Sequence, residues 1–574
     1  MAKTFGGTVI SIPGVYTSAD VSAFAAPPAG GTLSVGVIGP AMGGVPNKAY
    51  KFTSYTDASR ILKGGELLDL IRLIFSPGGA TGASTVYAIR VAGSGITQAS
   101  KDFGTLRITA IDYGAIGNRI RVGVFDGTSV GKKIVIQDTT TGTTEAFDNL
   151  GPAFSVKYVG NGATCTLSIT VTDGRATTLS LTPKDSEGET ITEEAISLDL
   201  TSPNYNTVGK IIEALSVSGV YQVIRSPFLS DTSLPSIYLD AVANQDVKTE
   251  AYTVTAVLGI CITTINRSSG LVTASKVNDT DTDPPTNADF TFLTGGSDGG
   301  SPTSEDYQNA LDLLASRDVQ IVCVASGDST IHNLVAAHVA DCSSITGKKE
   351  RIAFLGLSNP AASKADYIAA ALPFSNSYRI VMCAPGIIEN IGGTLVERPS
   401  YYTAALLAGL KAGLALKENI TYKVVGVVGL TKEFTLSEIT ELMESGVTVV
   451  APSEGDVFRV VKGVTTYRTD DNLAKQEISA VLIIDAISKE LRQVLESKFL
   501  GRAFTATTAN EVITTVGTVL GKYAESGALI GNPPYRNITV NVTNDAIYVS
   551  YEAHPATVAN YIFVAQVFTP AFEW

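Results

Sequence analysis

Three groups of residues have the types and spacing that chemistry uses. Asp279, Asp281 and Asp283 alternate as the first oxygen ligands of an EF-hand calcium loop do. That loop also needs a turn glycine at its sixth position and a bidentate glutamate at its twelfth, where this chain has Pro284 and Phe290. The segment reads as a solvated linker. Gly295, Gly296, Gly299 and Gly300 are dense enough for a phosphate cradle, but no Lys-Ser or Lys-Thr pair follows, and Asp298 sets negative charge where a phosphate would sit. A turn leading into a helix at Tyr307 accounts for them better. His332 and His338 lie six apart without the acidic residue of a zincin, and with three histidines in the chain a metal or proton-relay site is not expected. Packing or helix-surface roles suit them. No Gly-x-Ser-x-Gly elbow, Cys-x-x-Cys pair or kinase signature occurs. The reading is of a chain that is not an enzyme, with no catalytic residues, no cofactor and no metal.

Bulk properties agree. A length of 574 residues implies three or four domains, and 17% charged against 44% hydrophobic residues with 54 glycines suggests surface given over to assembly. The net charge of -13 argues against direct contact with nucleic acid, which needs basic patches. Five cysteines, Cys165, Cys261, Cys323, Cys342 and Cys383, are odd in number and far apart, which predicts reduced core thiols. There is no apolar signal region before Pro13 and no run of eighteen apolar residues, so a soluble protein made in the cytosol, without membrane insertion, is expected.

The elements that would position any site begin with an arm over 1–31, in which Thr8 to Ile12 is strand-like and Ala25 to Gly31 is a linker. Val9, Ile10 and Ile12, with Val15 and Tyr16 after the break at Pro13, are the apolar residues of this arm and have no self-sufficient unit to cover them. A buried strand over Leu33 to Gly39, a helix over Thr56 to Phe75 and a strand over Thr85 to Val91 make a β-α-β beginning. Short alternating runs rich in Thr, Val and Ile predict an inserted β-rich domain over 98–204, followed by a second, α+β insertion over 205–289. Buried-strand runs at Gln320 to Ala325, Arg351 to Leu355, Arg379 to Cys383 and Val447 to Ala451 then alternate with helical stretches, including one over Tyr401 to Leu416. That alternation predicts a mostly parallel sheet completing one discontinuous central α/β domain, 32–97 plus 290–466.

The region 467–574 reads as an α+β domain. Asp470, Asp471 and Asn472 offer caps to a helix carrying Ile478, Leu482, Ile487 and Leu491, and Thr508 with Glu511 has capping-box spacing for a second helix. Ile538, Val540 and Val542 alternate toward Asn544-Asp545 and on to Ile547 and Val549, a hairpin pattern. A last apolar run, with Ile562, Val564, Val567 and Phe568 in the terminal arm 561–574, needs a cover. It either pairs with its own hairpin or is donated to a neighbouring subunit. Lys489, Arg492, Lys498 and Arg502 gather positive charge near the end of the first helix. They read either as a solvated face, with Arg492 and Glu496 paired at i,i+4, or as a contact surface.

The combination resembles the contractile phage tail sheath proteins. Leu-Thr-Gly-Gly-Ser-Asp-Gly over 293–299, Ala384-Pro385-Gly386, Glu397-Arg398-Pro399-Ser400 before the small-residue stretch Ala404 to Gly413, and Leu491 through Gly501 carry the resemblance. Phe434 to Val449 and Arg459 to Thr466 extend it. Gly65-Glu66-Leu67-Leu68-Asp69 and the segment Ile111 to Val122, with Tyr113, Gly114 and Asn118, are similar to the larger sheath proteins of long-tailed phages. The resemblance implies a structural subunit of the virion that forms stacked hexameric rings around a tail tube and contracts to drive the tube through the host envelope for genome ejection. Implied partners are other copies of itself, the tail tube protein, and baseplate and tail terminator proteins. It implies strand exchange, with both arms, the first through Val9, Ile10, Ile12, Val15 and Tyr16, reaching hairpins of adjacent subunits. It also implies a C-terminal domain facing the tube with Lys489, Arg492, Lys498 and Arg502. A contractile bacteriocin or type VI secretion-like sheath, and an α/β enzyme with a β-rich accessory domain, are the alternatives.

Overall fold

The computed structural model describes residues 3–5, 8–10, 33–78, 81–455, 457–503, 505, 507–543, 546–560 and 565. Short β-branched runs build a nine-stranded sheet in the order Val424–Val425, Val457–Val460, Val447–Ser453, Ile380–Ala384, Ile352–Leu355, Ile321–Val324, Ser34–Gly39, Thr85–Arg90, Ala49–Phe52. Parallel pairing is unbroken from Val447–Ser453 to Thr85–Arg90, and the flanking strands are antiparallel. Alternate residues feed two cores: Ile321 and Cys323 enter one apolar cluster, and Val322 and Val324 the other. Both faces are covered, so the central strand Ile321–Val324 is buried at every residue.

The helix expected over 56–75 is two, α1 (Tyr55–Leu62) and α2 (Glu66–Phe75). Lys63 takes a left-handed φ of 61° and Gly65 a φ of 94°, and a side chain on Gly65 would come 2.9 Å from the Ala41 Cα. The chain therefore turns there, whatever its apolar spacing.

The inserted region holds α3 (Val208–Val217), α4 (Val257–Ser268) and antiparallel strands. The expected boundary between residues 204 and 205 runs through shared sheets. Pro152–Tyr158 pairs with Tyr221–Arg225 and Tyr252–Thr255, and Thr164–Thr172 pairs with Val242–Asp246. One apolar cluster from Ala99 to Leu293 serves the whole region, so the two expected insertions share one core. Its entry and exit are stitched by Asn118, whose Nδ2 donates to the Gly296 carbonyl and whose Oδ1 accepts from the Gly296 amide. Buried Arg90 donates to the carbonyls of Gly44 and Tyr113, tying the insertion to the sheet.

Back in the sheet, α5 (Ser304–Ala315), α6 (Ser329–Cys342), α7 (Lys364–Ala371), α8 (Ser400–Gly413) and α9 (Leu436–Glu444) pack on its two faces. Helix α8 stops at Gly413 rather than at the expected Leu416, because buried Lys411 donates to the carbonyls of Ala415, Leu416 and Glu418 and closes its end. Burial pushes the Lys411 ammonium down to about 7.

Candidate functional site

The C-terminal region contains α10 (Leu473–Gln476), α11 (Ile478–Phe499), α12 (Thr508–Glu525) and a hairpin of Tyr535–Thr543 with Ala546–Ala553. The caps fall differently from expectation. Asn472 caps the one-turn α10, and Glu477, in extended backbone, separates it from α11. The Thr508 and Glu511 capping box is absent: Thr508 Oγ1 accepts from the Thr505 amide, and Glu511 accepts from the Thr507 hydroxyl.

Helix α11 belongs to two cores. Ile478, Val481 and Leu482 pack in the central cluster, whereas Ile483, Ile487 and Leu491 pack with Val512, Val516 and Leu520 of α12. The hairpin closes that second core with Ile538, Val540, Ile547, Val549 and Tyr551 partly buried. Tyr535 donates to the Gly517 carbonyl at 3.2 Å. An isolated two-stranded sheet is marginal in water, so this hairpin depends on α12. Val542 pairs with Ile547 in the ladder. Among the described residues no third strand pairs with either edge. Unpaired edge N–H and C=O groups are what an incoming strand uses.

Beyond the hairpin the chain is stitched down. The Ala556 amide donates to the Ala528 carbonyl, and the Glu477 carboxylate accepts from the Val558 amide at 3.3 Å and from Asn560 Nδ2 at 2.8 Å. The expected terminal-arm residues Ile562, Val564, Val567 and Phe568 lie outside the described residues.

At the other terminus the arm meets its own chain. Lys3–Phe5 pairs antiparallel with Thr8–Ile10, so that Val9 stands opposite Thr4 and Ile10 opposite Lys3. Val9 and Ile10, expected to pair with a neighbouring subunit, thus have an intrachain partner along one edge that the sequence reading missed. Gly6 and Gly7 lie between the two strands, short enough a link to bring them together. A two-stranded ribbon still leaves each strand a second edge, so the intrachain pairing and an incoming strand are compatible. Ile12, Val15 and Tyr16 lie outside the described residues.

The four cations expected on a contact face divide. Lys489 pairs with Asp318 at 2.6 Å and Arg492 with Glu350 at 2.7 Å, both across to the rim of the central sheet. Against the rise from burial, Arg492 holds the Glu350 carboxyl below its ordinary range. The expected Arg492 and Glu496 pair is not formed, since Glu496 pairs with Lys348 at 2.7 Å. Lys498 and Arg502 are exposed and make no ion pair among the described residues.

The other candidates take structural places. Asp281 accepts from the Asn278 amide, Asp298 accepts from the Ala115 amide, and no group of three or more His, Cys, Asp or Glu able to hold a metal occurs among the described residues. His332 Nε2 meets the Ser326 carbonyl at 3.2 Å. His338 Nε2 lies 3.0 Å from the Arg351 guanidinium, and burial, then that charge, pushes it down to about 4. All five cysteines are buried and free. No helix among the described residues is long and apolar enough to cross a membrane.

Residues 300–466, which span α5 to α9, match the family described as phage tail sheath protein central domain. Over 573 residues the chain is 32% identical to the tail sheath protein of Bacillus phage SP01, a match covering 99% of this chain and 97% of that one. It is 27% identical to a putative tail sheath protein of Enterococcus phage phiEF24C, covering 97% of each. The crystal structure of a sheath tail protein from Desulfitobacterium hafniense has the same fold, with a TM-score of 0.57 over 95% of this chain and 97% of that one at 16% identity.

Proposed function

Because the chain belongs to the phage tail sheath protein family, we propose that it is the repeating subunit of a contractile sheath, stacked as hexameric rings around a tail tube and contracting to drive the tube through the host envelope. The observation that carries this reading is the 32% identity to a phage tail sheath protein along nearly the whole chain. Its assembly partners are then further copies of itself, the tube protein, and the baseplate and terminator proteins at the two ends. The central sheet region and the C-terminal region act as the polymerising body, with the β-rich insertion as an appended unit.

The connections between subunits are strands donated by the terminal arms to the open edges of a neighbour's hairpin. Strand addition satisfies edge hydrogen bonds between chains while the bodies remain free to turn, so a lattice can rearrange without losing connectivity. Each fully buried Ile, Val or Phe contributes about 1.5 to 3 kcal/mol against about 1 to 2 kcal/mol of backbone ordering per residue, which favours pairing only where the ladder is complete. An extended lattice held behind a barrier and released to a contracted one gives the stroke. Lys498 and Arg502 are the cations left to face the tube, Lys489 and Arg492 being engaged within the chain.

Hydrogen exchange of both arms in monomer and polymer, with sedimentation of chains lacking residues 1–20 or ending at Asn560, tests the exchange. Arms protected more strongly in the polymer than in the monomer, and truncated chains that fold but stay monomeric, are expected. Normal polymerisation of the truncated chains would overturn it.

A further inference from the structure

Beyond Leu482, α11 leaves the central apolar cluster, and its remaining contact with the sheet rim is polar. Four residues make it. Asp485 accepts two hydrogen bonds from Arg379 at 2.8 and 3.0 Å, Lys489 pairs with Asp318, Arg492 with Glu350, and Glu496 with Lys348. Their spacing of four, three and four residues keeps them within a stripe about 60° wide at about 100° per residue. The partners sit on the loops that enter three adjacent strands, Ile321–Val324, Ile352–Leu355 and Ile380–Ala384.

We propose that this ladder is a charge-coded key that sets the angle of the C-terminal unit on the sheet rim, and with it the direction in which the hairpin presents its open edges. Two features carry the proposal. Apolar packing of Ile478, Val481 and Leu482 holds only the first turns of α11, and beyond them the seam opens into a pocket of about 440 Å³, lined by Leu33, Asp318, Glu350, Asp485, Lys489 and Tyr523 among others. There the charges fix the pose. A slip of one helical turn brings Lys489 against Arg379 in one direction and Asp485 against Asp318 in the other, so both wrong registers set like charges together. Ile478, Val481 and Leu482 anchor the start of α11 in the central cluster, whereas Leu416, packed against both clusters, and Lys417, donating to the Ser526 carbonyl, tie the far side of the C-terminal unit.

The key rests on the assembly reading only for its consequence, since the pose itself is a property of one chain. The test labels the full chain at Asn309→Cys on α5 and Thr518→Cys on α12, both exposed, the native cysteines being buried, and measures the distance distribution by pulsed electron resonance. The Lys489→Glu, Arg492→Glu chain is expected to fold with a lowered melting temperature, to broaden the distribution, and to need a roughly tenfold higher concentration to polymerise. Adding Asp318→Lys and Glu350→Lys restores both readouts. Restoration separates the key from a role of Lys489 and Arg492 at the tube, which reversed partners on the rim could not rescue. Lys348→Glu, at an exposed pair, is the second variant and broadens the distribution less. An unchanged distribution in the charge-reversed chain, or failure of the reversed partners to restore it, overturns the proposal. A wild-type chain that never polymerises refutes the sheath reading while the distance measurement still judges the key.

Discussion

Acid should destabilise this chain in part through one histidine. His338 is 7% exposed, and its Nε2 lies 3.0 Å from the guanidinium of Arg351, which is fully buried and donates to the carbonyls of Leu314, Arg317 and Lys349. Protonating the imidazole would set two cations against each other away from water. Burial first, and Arg351 second, therefore push its pKa from 6.5 down to about 4. The folded state then binds fewer protons than the unfolded chain between those values, so the stabilisation is complete above pH 6.5 and is lost as the pH falls toward 4. At about 1.36 kcal/mol per unit, the limit is about 3.4 kcal/mol, of which about 2.5 kcal/mol is lost by about pH 4.5. Urea unfolding of the monomer at neutral pH and in mild acid measures it, with His338→Gln as the reference: the amide keeps an acceptor but cannot charge. Carboxylates contribute equally to both chains and cancel. The variant should lose about 2 kcal/mol less than wild type over that interval. Identical losses within about 0.5 kcal/mol would refute the reasoning.

Asp485→Ala leaves the Arg379 side chain, 13% exposed, without its carboxylate and should cost about 3 to 5 kcal/mol in urea unfolding, whereas Lys348→Ala, at a half-exposed pair, should cost less than about 1 kcal/mol. Gly409→Ala places a methyl group 2.4 Å from the Ile74 carbonyl oxygen, a backbone atom that cannot turn away, so α8 must move off α2 at about 1 to 3 kcal/mol, read as a lower melting temperature. Glu477→Gln weakens the grip on the Val558 amide, which should exchange roughly tenfold faster while amides in α12 are unchanged.

Local chemistry was legible in the sequence where it acts over a few residues. The runs at Gln320 to Ala325, Arg351 to Leu355 and Arg379 to Cys383 were marked as short buried apolar runs, and the strands found there end within a residue or two of the expected limits. The alternation around Ile538, Val540, Ile547 and Val549 located a hairpin with those side chains turned to the core. The misses lie where backbone turns or distant chain decide. The helix break at Lys63 was hidden because apolar spacing runs on through it, whereas the break is made by backbone at Lys63, φ 61°, and Gly65, φ 94°. The boundary at residues 204 and 205 failed because pairing between Pro152–Tyr158 and Tyr221–Arg225 leaves no local signal. The partners of Lys489 and Arg492 lie 171 and 142 residues away, so spacing on the helix offered only the i,i+4 choice that the fold does not use. Near the start of the chain a local signal was present and passed over: a Gly-Gly pair between two short runs is a hairpin signal in sequence, and Lys3–Phe5 pairs with Thr8–Ile10 so that Val9 stands opposite Thr4. Glu477 is 1% exposed and its grip on Asn560 was unreadable, since a glutamate before a helix is ordinarily a solvated cap.

The assembly itself is tested most directly by electron microscopy of the purified full-length chain, imaged over a range of concentrations. The account predicts long tubes with rings stacked along a common axis and a hollow bore, forming above a threshold concentration and templated at lower concentration by added tail tube. Discrete small oligomers at every concentration, with a melting temperature that rises on addition of a small-molecule ligand, would contradict it and return the chain to the class of α/β enzymes.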